Sequence, residues 1–153
     1  MKLIFRGTKD GMWNTNFHNK CDNQGPTIIL IRNVKGYIFG GYTSISWASE
    51  GGNYHSDPDS FLFTLTNIYN FEPTKFPSKN DNKEVYNNYC YGPIFGGGHD
   101  FGMHPDFINS GAWASFPNTY QDILGKGKSI FTGDINNNHS SIKLNEIEVF
   151  KVE

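Results

Sequence analysis

The chain has 153 residues, 15 acidic against 13 basic for a formal net charge of −2, and is 16% aromatic with 17 glycines. That length is one domain, residues 1–153, large enough to bury roughly two thirds of its unfolded surface. The near balance of charge argues against a nucleic-acid partner or an acidic-membrane footprint, and no apolar run approaches the ~20 residues of a bilayer span, so membrane insertion is not expected.

Lys2 to Arg6 is a short strand candidate, followed by a turn at Thr8-Lys9-Asp10-Gly11. Asn14 is placed to cap a short helix, its side-chain oxygen accepting from an orphan amide one turn along. Within that helix Trp13, Phe17 and Cys21 recur at four-residue spacing and share an apolar face, which leaves His18 and Lys20 pointing elsewhere. Cys21 to Trp47 organises the rest of the chain. Thr27 to Arg32, a β-branched run introduced by Gly25-Pro26, predicts a strand buried on both faces. Asn33 to Gly36 supplies turn residues, and Tyr37 to Trp47 returns as a second strand. Its Gly40-Gly41 pair marks a bulge or the close approach of another backbone.

Ala48 to Asp59 is polar and predicts an exposed loop. Ser60 to Asn67 alternates, and that alternation assigns Phe61, Phe63 and Leu65 to the core. Asn70 to Lys83, with Pro73 and Pro77, predicts a second loop. Glu84 to Tyr91 predicts a strand carrying Cys90, and Gly92-Pro93 then precedes the apolar pair Ile94-Phe95. Trp113, Phe116 and Tyr120 fall in an irregular segment with one helical turn. Gly125 to Gly127 turns the chain into a short strand at Ser129 to Thr132, and Asn136 to Asn138 predicts a mobile polar loop. Ser141 to Val152 is an alternating strand whose apolar positions change parity between Leu144 and Ile147, which requires a bulge near Asn145-Glu146. Glu146 and Glu148 then take its solvent face. The fold predicted is mainly β, with an α+β leaning: a two-sheet antiparallel β-sandwich with one or two short peripheral helices.

Chemical motifs are sparse. Gly96-Gly97-Gly98 lacks the Lys-Ser/Thr pair and the helix of a phosphate-cradling loop, so it predicts a bulge that lets a sheet bend, and no cofactor is expected. His99, Asp100, His104 and Asp106 are the residues of a type to bind zinc or iron. On a strand, however, residues 99 and 104 point to opposite faces, and Pro105 interrupts the rest. No metal centre and no catalytic group are expected, although the stretch from His99 to Asp106 is where an enzyme of redox or hydrolytic type would have to work. Cys21 lies beside Asp22 and near His18 but on the apolar side of its helix, which favours an inert buried thiol. Two cysteines are too few for a disulfide scaffold, so Cys21 and Cys90 are both expected reduced, largely buried, and inside the cell. A carbohydrate-binding sandwich would need Trp47 and Trp113 exposed.

Five stretches resemble the TLDc domain, the module shared by oxidation-resistance proteins and their relatives. They are CD-x-x-GPT from Cys21, GYIFGGYTS with its following Trp47, SDPDSFLFTLTN from Ser56, YGPIFGGGHDF from Tyr91 and EIEVF from Glu146, in that order. With KLIFRGTKDG at the start, the resemblance spans essentially the whole chain. It implies a non-enzymatic, cytoplasmic protein, expected as a monomer, that protects against oxidative stress through protein partners, with subunits of the vacuolar proton-pumping ATPase as the partners it suggests. In that pattern His99-Asp100 is a polar pair after the glycines and not a metal set.

Overall fold

The computed structural model describes residues 1–136 and 138–153, so Asn137 of the predicted Asn136 to Asn138 loop lies outside the described residues. The described residues form two six-stranded antiparallel sheets and three short helices. In spatial order the first sheet is β1 (Lys2–Arg6), β12 (Leu144–Lys151), β2 (Thr27–Asn33), β3 (Ile38–Thr43), β5 (Phe61–Thr64) and β6 (Thr74–Pro77). The second is β11 (Ser141–Ile142), β10 (Ala112–Ala114), β9 (Phe101–Met103), β8 (Ile94–Phe95), β7 (Val85–Asn88) and β4 (Gly51–His55). The helices are α1 (Gly7–Asp10), α2 (Asn14–Cys21) and α3 (Ser129–Thr132). The predicted β-sandwich is the observed fold.

The core lies between the sheets. Phe39 of β3 meets Phe101 of β9 with ring centroids 5.6 Å apart, and Trp47 meets Phe95 of β8 at 5.4 Å. Gly40 and Gly41 do not form a bulge, because β2 and β3 keep one register from Thr27↔Thr43 to Arg32↔Ile38. They mark close approach instead. A Cβ on Gly41 would stand 2.7 Å from the Phe95 ring, and one on Gly40 would strike the Ile29 carbonyl.

Several expectations are corrected. β2 is buried on one face only: Thr27, Ile29, Ile31 and Asn33 point inward, while Ile28 and Leu30 are half-buried and Arg32 is exposed. An apolar run with β-branched residues does not distinguish the two cases, since aliphatic residues also sit on half-covered faces. The parity of β5 is inverted. Leu62 and Thr64 are fully buried, whereas Phe61 is half-buried and Leu65 is 38% exposed. Phe63, also on the outer face, still falls to 7% exposure because its ring folds over Gly40. The polar stretch Ala48 to Asp59 contains β4, and Asn70 to Lys83 contains β6. Both are edge strands, which need few apolar residues and are therefore quiet in the sequence.

Ser129 to Thr132 is one helical turn closed by Gly133, whose φ of 72° lets its amide donate to the Ser129 carbonyl. Trp113 is in a strand, not a helical turn. Gly96 to Gly98 is the tight connection between the antiparallel neighbours β8 and β9 and not a bulge within one strand. The helix α2 starts at Asn14, which does not cap it: Asn14 Nδ2 donates to the Tyr89 carbonyl at 2.9 Å, and Asn16 Oδ1 accepts from the Trp13 amide at 3.1 Å. Phe17 and Cys21 enter the core as expected, but Trp13 is 51% exposed. Cys90 is exposed, in the turn after β7.

The parity change near Asn145 is present as a register shift between Leu144 and Glu146. Upstream of it the chain does more than bulge. Ile142 ends β11 in the second sheet and Leu144 starts β12 in the first, so Lys143 carries the chain from one sheet to the other. Ile147 and Val149 are buried and Glu146 and Glu148 lie on the outer face.

Candidate interaction surface

The outer face of the second sheet carries one continuous cross-strand row. Tyr54 lies opposite Tyr86, Tyr86 opposite Ile94, Ile94 opposite Gly102, Gly102 opposite Trp113, and Trp113 opposite Ser141. Strand alternation dictates that all six share a face. Ring contacts link the row: Tyr54 to Tyr86 at 4.6 Å, Tyr86 to His99 at 5.2 Å, His99 to Trp113 at 5.7 Å and His104 to Trp113 at 4.5 Å. Tyr91 closes the far side at 5.8 Å from Trp113. Ile94 is fully covered, but Tyr86, Tyr91, His99, His104 and Trp113 are half-buried and Tyr54 is exposed. The Tyr86 hydroxyl and the Trp113 indole N–H have no hydrogen-bond partner among the described residues. Rings held in place, with unused polar tips, are what protein interfaces use as anchors.

The four predicted metal-type residues are dispersed by this geometry. His99, at a φ of 56°, and His104 both rest against the Trp113 ring system. Desolvation lowers both imidazoles from their ordinary value, with the Asp100 charge pulling His99 partly back. Asp100 turns inward, fully buried, and its carboxylate accepts from the amides of Asn118 at 2.7 Å, Thr119 at 2.9 Å and Tyr120 at 3.0 Å. Burial raises this carboxyl above the usual range and those amides draw it back. Asp106 folds onto its own turn, accepting from the amides of Ile108 and Asn109. Among the described residues no three His, Cys, Asp or Glu converge as metal ligands.

Other carboxylates are also spent on backbone and hydroxyl donors. Asp57 takes Thr43 Oγ1 at 2.6 Å and the Ser44 amide at 2.8 Å, and Glu84 takes the Asp57 amide at 2.8 Å and Ser78 Oγ at 2.6 Å. His18, which the helical spacing left pointing outward, is buried. Its Nδ1 faces Asp22 Oδ1 at 2.7 Å and its Nε2 faces the Tyr91 carbonyl at 2.7 Å, tying α2 to the turn after β7. This imidazole is three residues from Cys21, but burial pushes the Cys21 thiol far up, the opposite of what a thiolate nucleophile needs. Trp47 is buried, with its indole N–H donating to Thr27 Oγ1 at 3.0 Å, so only Trp113 of the two tryptophans considered for sugar binding is open.

The outer face of the first sheet is less available. Its groove of about 330 Å³ runs over Leu30 and Ile38 between charges that already compensate, with Arg6 Nε donating to Glu148 at 2.8 Å. Elsewhere on that face Lys75 Nζ covers the Phe61 ring at 4.4 Å.

Sequence patterning missed Tyr54 because β4 was hidden in a polar stretch, and it placed Tyr86 in a strand without showing the partner that makes it part of a row. The one signal for Tyr54 was the alternation Gly52-Asn53-Tyr54, too short to stand against its glycines. The comparisons with known proteins agree with the fold. The TLDc domain family matches residues 1–153, the whole chain. A 64-residue stretch is 34% identical to the MTOR-associated protein MEAK7 of Danio rerio, covering 42% of this chain and 14% of that relative's length. Matched by that family over residues 1–153, the chain belongs to the TLDc domain family.

Proposed function

We propose that this domain is a non-catalytic protein-interaction module that docks a partner on the aromatic row of the second sheet. The observation that carries the proposal is the row itself: Tyr54, Tyr86 and Trp113 aligned across the strands, partly open, with two polar tips that are unpaired among the described residues. Dispersal of His99, Asp100, His104 and Asp106 weighs against the redox or hydrolytic alternative, which needs those groups within hydrogen-bond reach of one reacting atom. Family membership supports the finer reading. The partner is a subunit of the vacuolar proton-pumping ATPase, the module works as a cytoplasmic monomer, and protection against oxidative stress follows from that binding and not from scavenging. The relative's name, which associates it with mTOR, is consistent with a family that acts through protein partners.

The test is a pull-down from cell lysate with the parent and with Tyr54→Ala/Tyr86→Ala, probed for pump subunits. Capture by the parent and loss of at least about tenfold in the variant is expected, since aromatic anchors cost about 2 kcal/mol or more when truncated. Pump subunits absent from both, or equally present in both, would overturn the partner or the surface respectively.

A further inference from the structure

A second recess, of about 200 Å³, lies at the end of the sandwich where the β2–β3 turn, the end of α3 and the crossover at Lys143 meet. It is lined by Asn33, Val34, Lys35, Thr132, His139, Ser141, Ile142 and Lys143. What distinguishes it is the state of its polar groups. Asn33 Oδ1 already accepts from the amides of Lys35 at 3.0 Å and Tyr37 at 3.1 Å, and Asn33 Nδ2 donates to the Phe131 carbonyl at 3.1 Å. Thr132 Oγ1 accepts from the Asp134 amide at 3.1 Å, which leaves its O–H to give. Lys35 Nζ spends one N–H on the Gly133 carbonyl at 3.1 Å and keeps two. Lys143 Nζ and Ser141 Oγ have no partner among the described residues.

The local acid, Asp134, is turned into its own loop, although its charge also reaches Lys35. Asp134 accepts from the amides of Asn136 at 3.2 Å and Asn138 at 3.1 Å and faces His139 Nε2 at 3.4 Å. His139 also lines the recess, with its Nε2 turned toward Asp134. The walls therefore offer two ammonium groups and two hydroxyls, while the Asn33 amide oxygen is committed. A chain of net charge −2 does not produce that by overall composition. Val34 and Ile142 supply an apolar floor, which strengthens charge-assisted bonds by keeping water off one side.

We propose that this recess binds a phosphate monoester, as a soluble ligand or as a lipid headgroup. Donors converge from three separate elements, which suits a tetrahedral group with three strong acceptor oxygens and close to two negative charges better than a planar carboxylate. The volume lies below the ~300 Å³ at which drug-sized pockets begin. It matches a phosphoryl group and the first atoms of its ester. The site is separate from the aromatic row and does not depend on it.

The experiment is a titration of the isotope-labelled domain with inorganic phosphate and with a soluble inositol phosphate, followed by amide chemical shifts. Saturable shifts confined to Val34, Lys35, Ser141 and Lys143 are expected. The exposed double variant Lys35→Gln/Lys143→Gln should weaken binding at least about tenfold at an unchanged melting temperature, because hydrogen bonds to charged groups carry most of such an affinity. Co-sedimentation with phosphatidylinositol bisphosphate vesicles, beyond that with phosphatidylserine vesicles of equal charge, assigns the lipid source. Saturable shifts without that preference assign the soluble one. Absence of saturable shifts, or shifts that survive the double substitution, overturns the proposal.

Discussion

Trp113 lies flat on Gly102: a Cβ at position 102 would stand 2.6 Å from Cζ2 of the indole. The glycine is not in a left-handed conformation and serves no turn, so its role is to leave room for the ring on the neighbouring strand. The proposed docking row thus depends on a missing side chain as much as on the aromatic ones present.

Gly102→Val is expected to lift the indole into solvent. The tryptophan emission should move to longer wavelength and stability should fall by about 1–3 kcal/mol, the usual cost of overpacking. Trp113→Ala tests the same contact from the other side and should cost less stability while abolishing partner capture. A spectrum unchanged in Gly102→Val would mean that the ring does not rest there.

The inverted parity of β5 gives a sharp comparison. Leu62→Ala should lower stability by about 2–5 kcal/mol, because Leu62 is fully buried between Phe76 and Gly41 in its strand pairing. Leu65→Ala, at a site 38% exposed, should change it by less than about 1 kcal/mol. Urea midpoints of the two variants check the order.

Asp100 holds the segment from Asn118 to Tyr120 by three backbone amides from a fully buried position. Asp100→Ala leaves those donors without a partner and should cost about 3 kcal/mol or more. Amide exchange at Thr119 and Tyr120 should quicken selectively, which distinguishes loss of this clamp from general destabilisation.

Acid should weaken the fold through His99 and His104. Both imidazoles are lowered from 6.5 by desolvation, so between their folded values and 6.5 the unfolded chain binds more protons than the folded one. Stability from these groups is complete above about pH 6.5 and declines as the pH falls through that window. Melting curves of the parent should therefore show a decline from pH 7 to pH 5 that is shallower in His99→Gln/His104→Gln.

The thiols should behave differently from one another. Cys90 is exposed and Cys21 fully buried, so a thiol reagent should label one site per native chain and two after unfolding. Cys90→Ser should still bind its partner and protect cells, as indirect protection requires. Loss of protection in a variant that still binds would return Cys90 to the centre of the chemistry.

Much of this was legible from residue order alone. The hairpin of β2 and β3 showed itself through an isoleucine-rich run, a turn and a paired glycine, and the parity break at Asn145 followed from two apolar registers that one straight strand cannot satisfy. What stayed hidden was set by partners distant in sequence. Phe61 and Phe63 look more like core than Leu62, yet the facing of β5 is imposed by β3, where Gly40 makes a hollow for Phe63 on the outside. His18 looked exposed by helical spacing, but carbonyls from the turn after β7 cover it. Of the candidate site, His99 and His104 were weighed as metal ligands and set aside, and they turn out to be ring neighbours of Trp113, while Tyr54 lay in a strand too polar to see.

The strand order of the first sheet sets a sequence of events during synthesis. β1 is made first, but its one neighbour is β12, with Lys2 opposite Lys151, and β12 in turn lies between β1 and β2. While residues 144–151 are still inside the ribosome, β1 has no edge to join and the buried face of β2 has no strand on one side. The second sheet waits likewise for Ser141 to pair with Trp113. The nascent domain therefore carries both open edges, and the apolar rows beside them, until β12 emerges. Exposed edges of this kind invite pairing with other chains, so the interval before β12 clears the ribosome is when this domain is most in need of a chaperone.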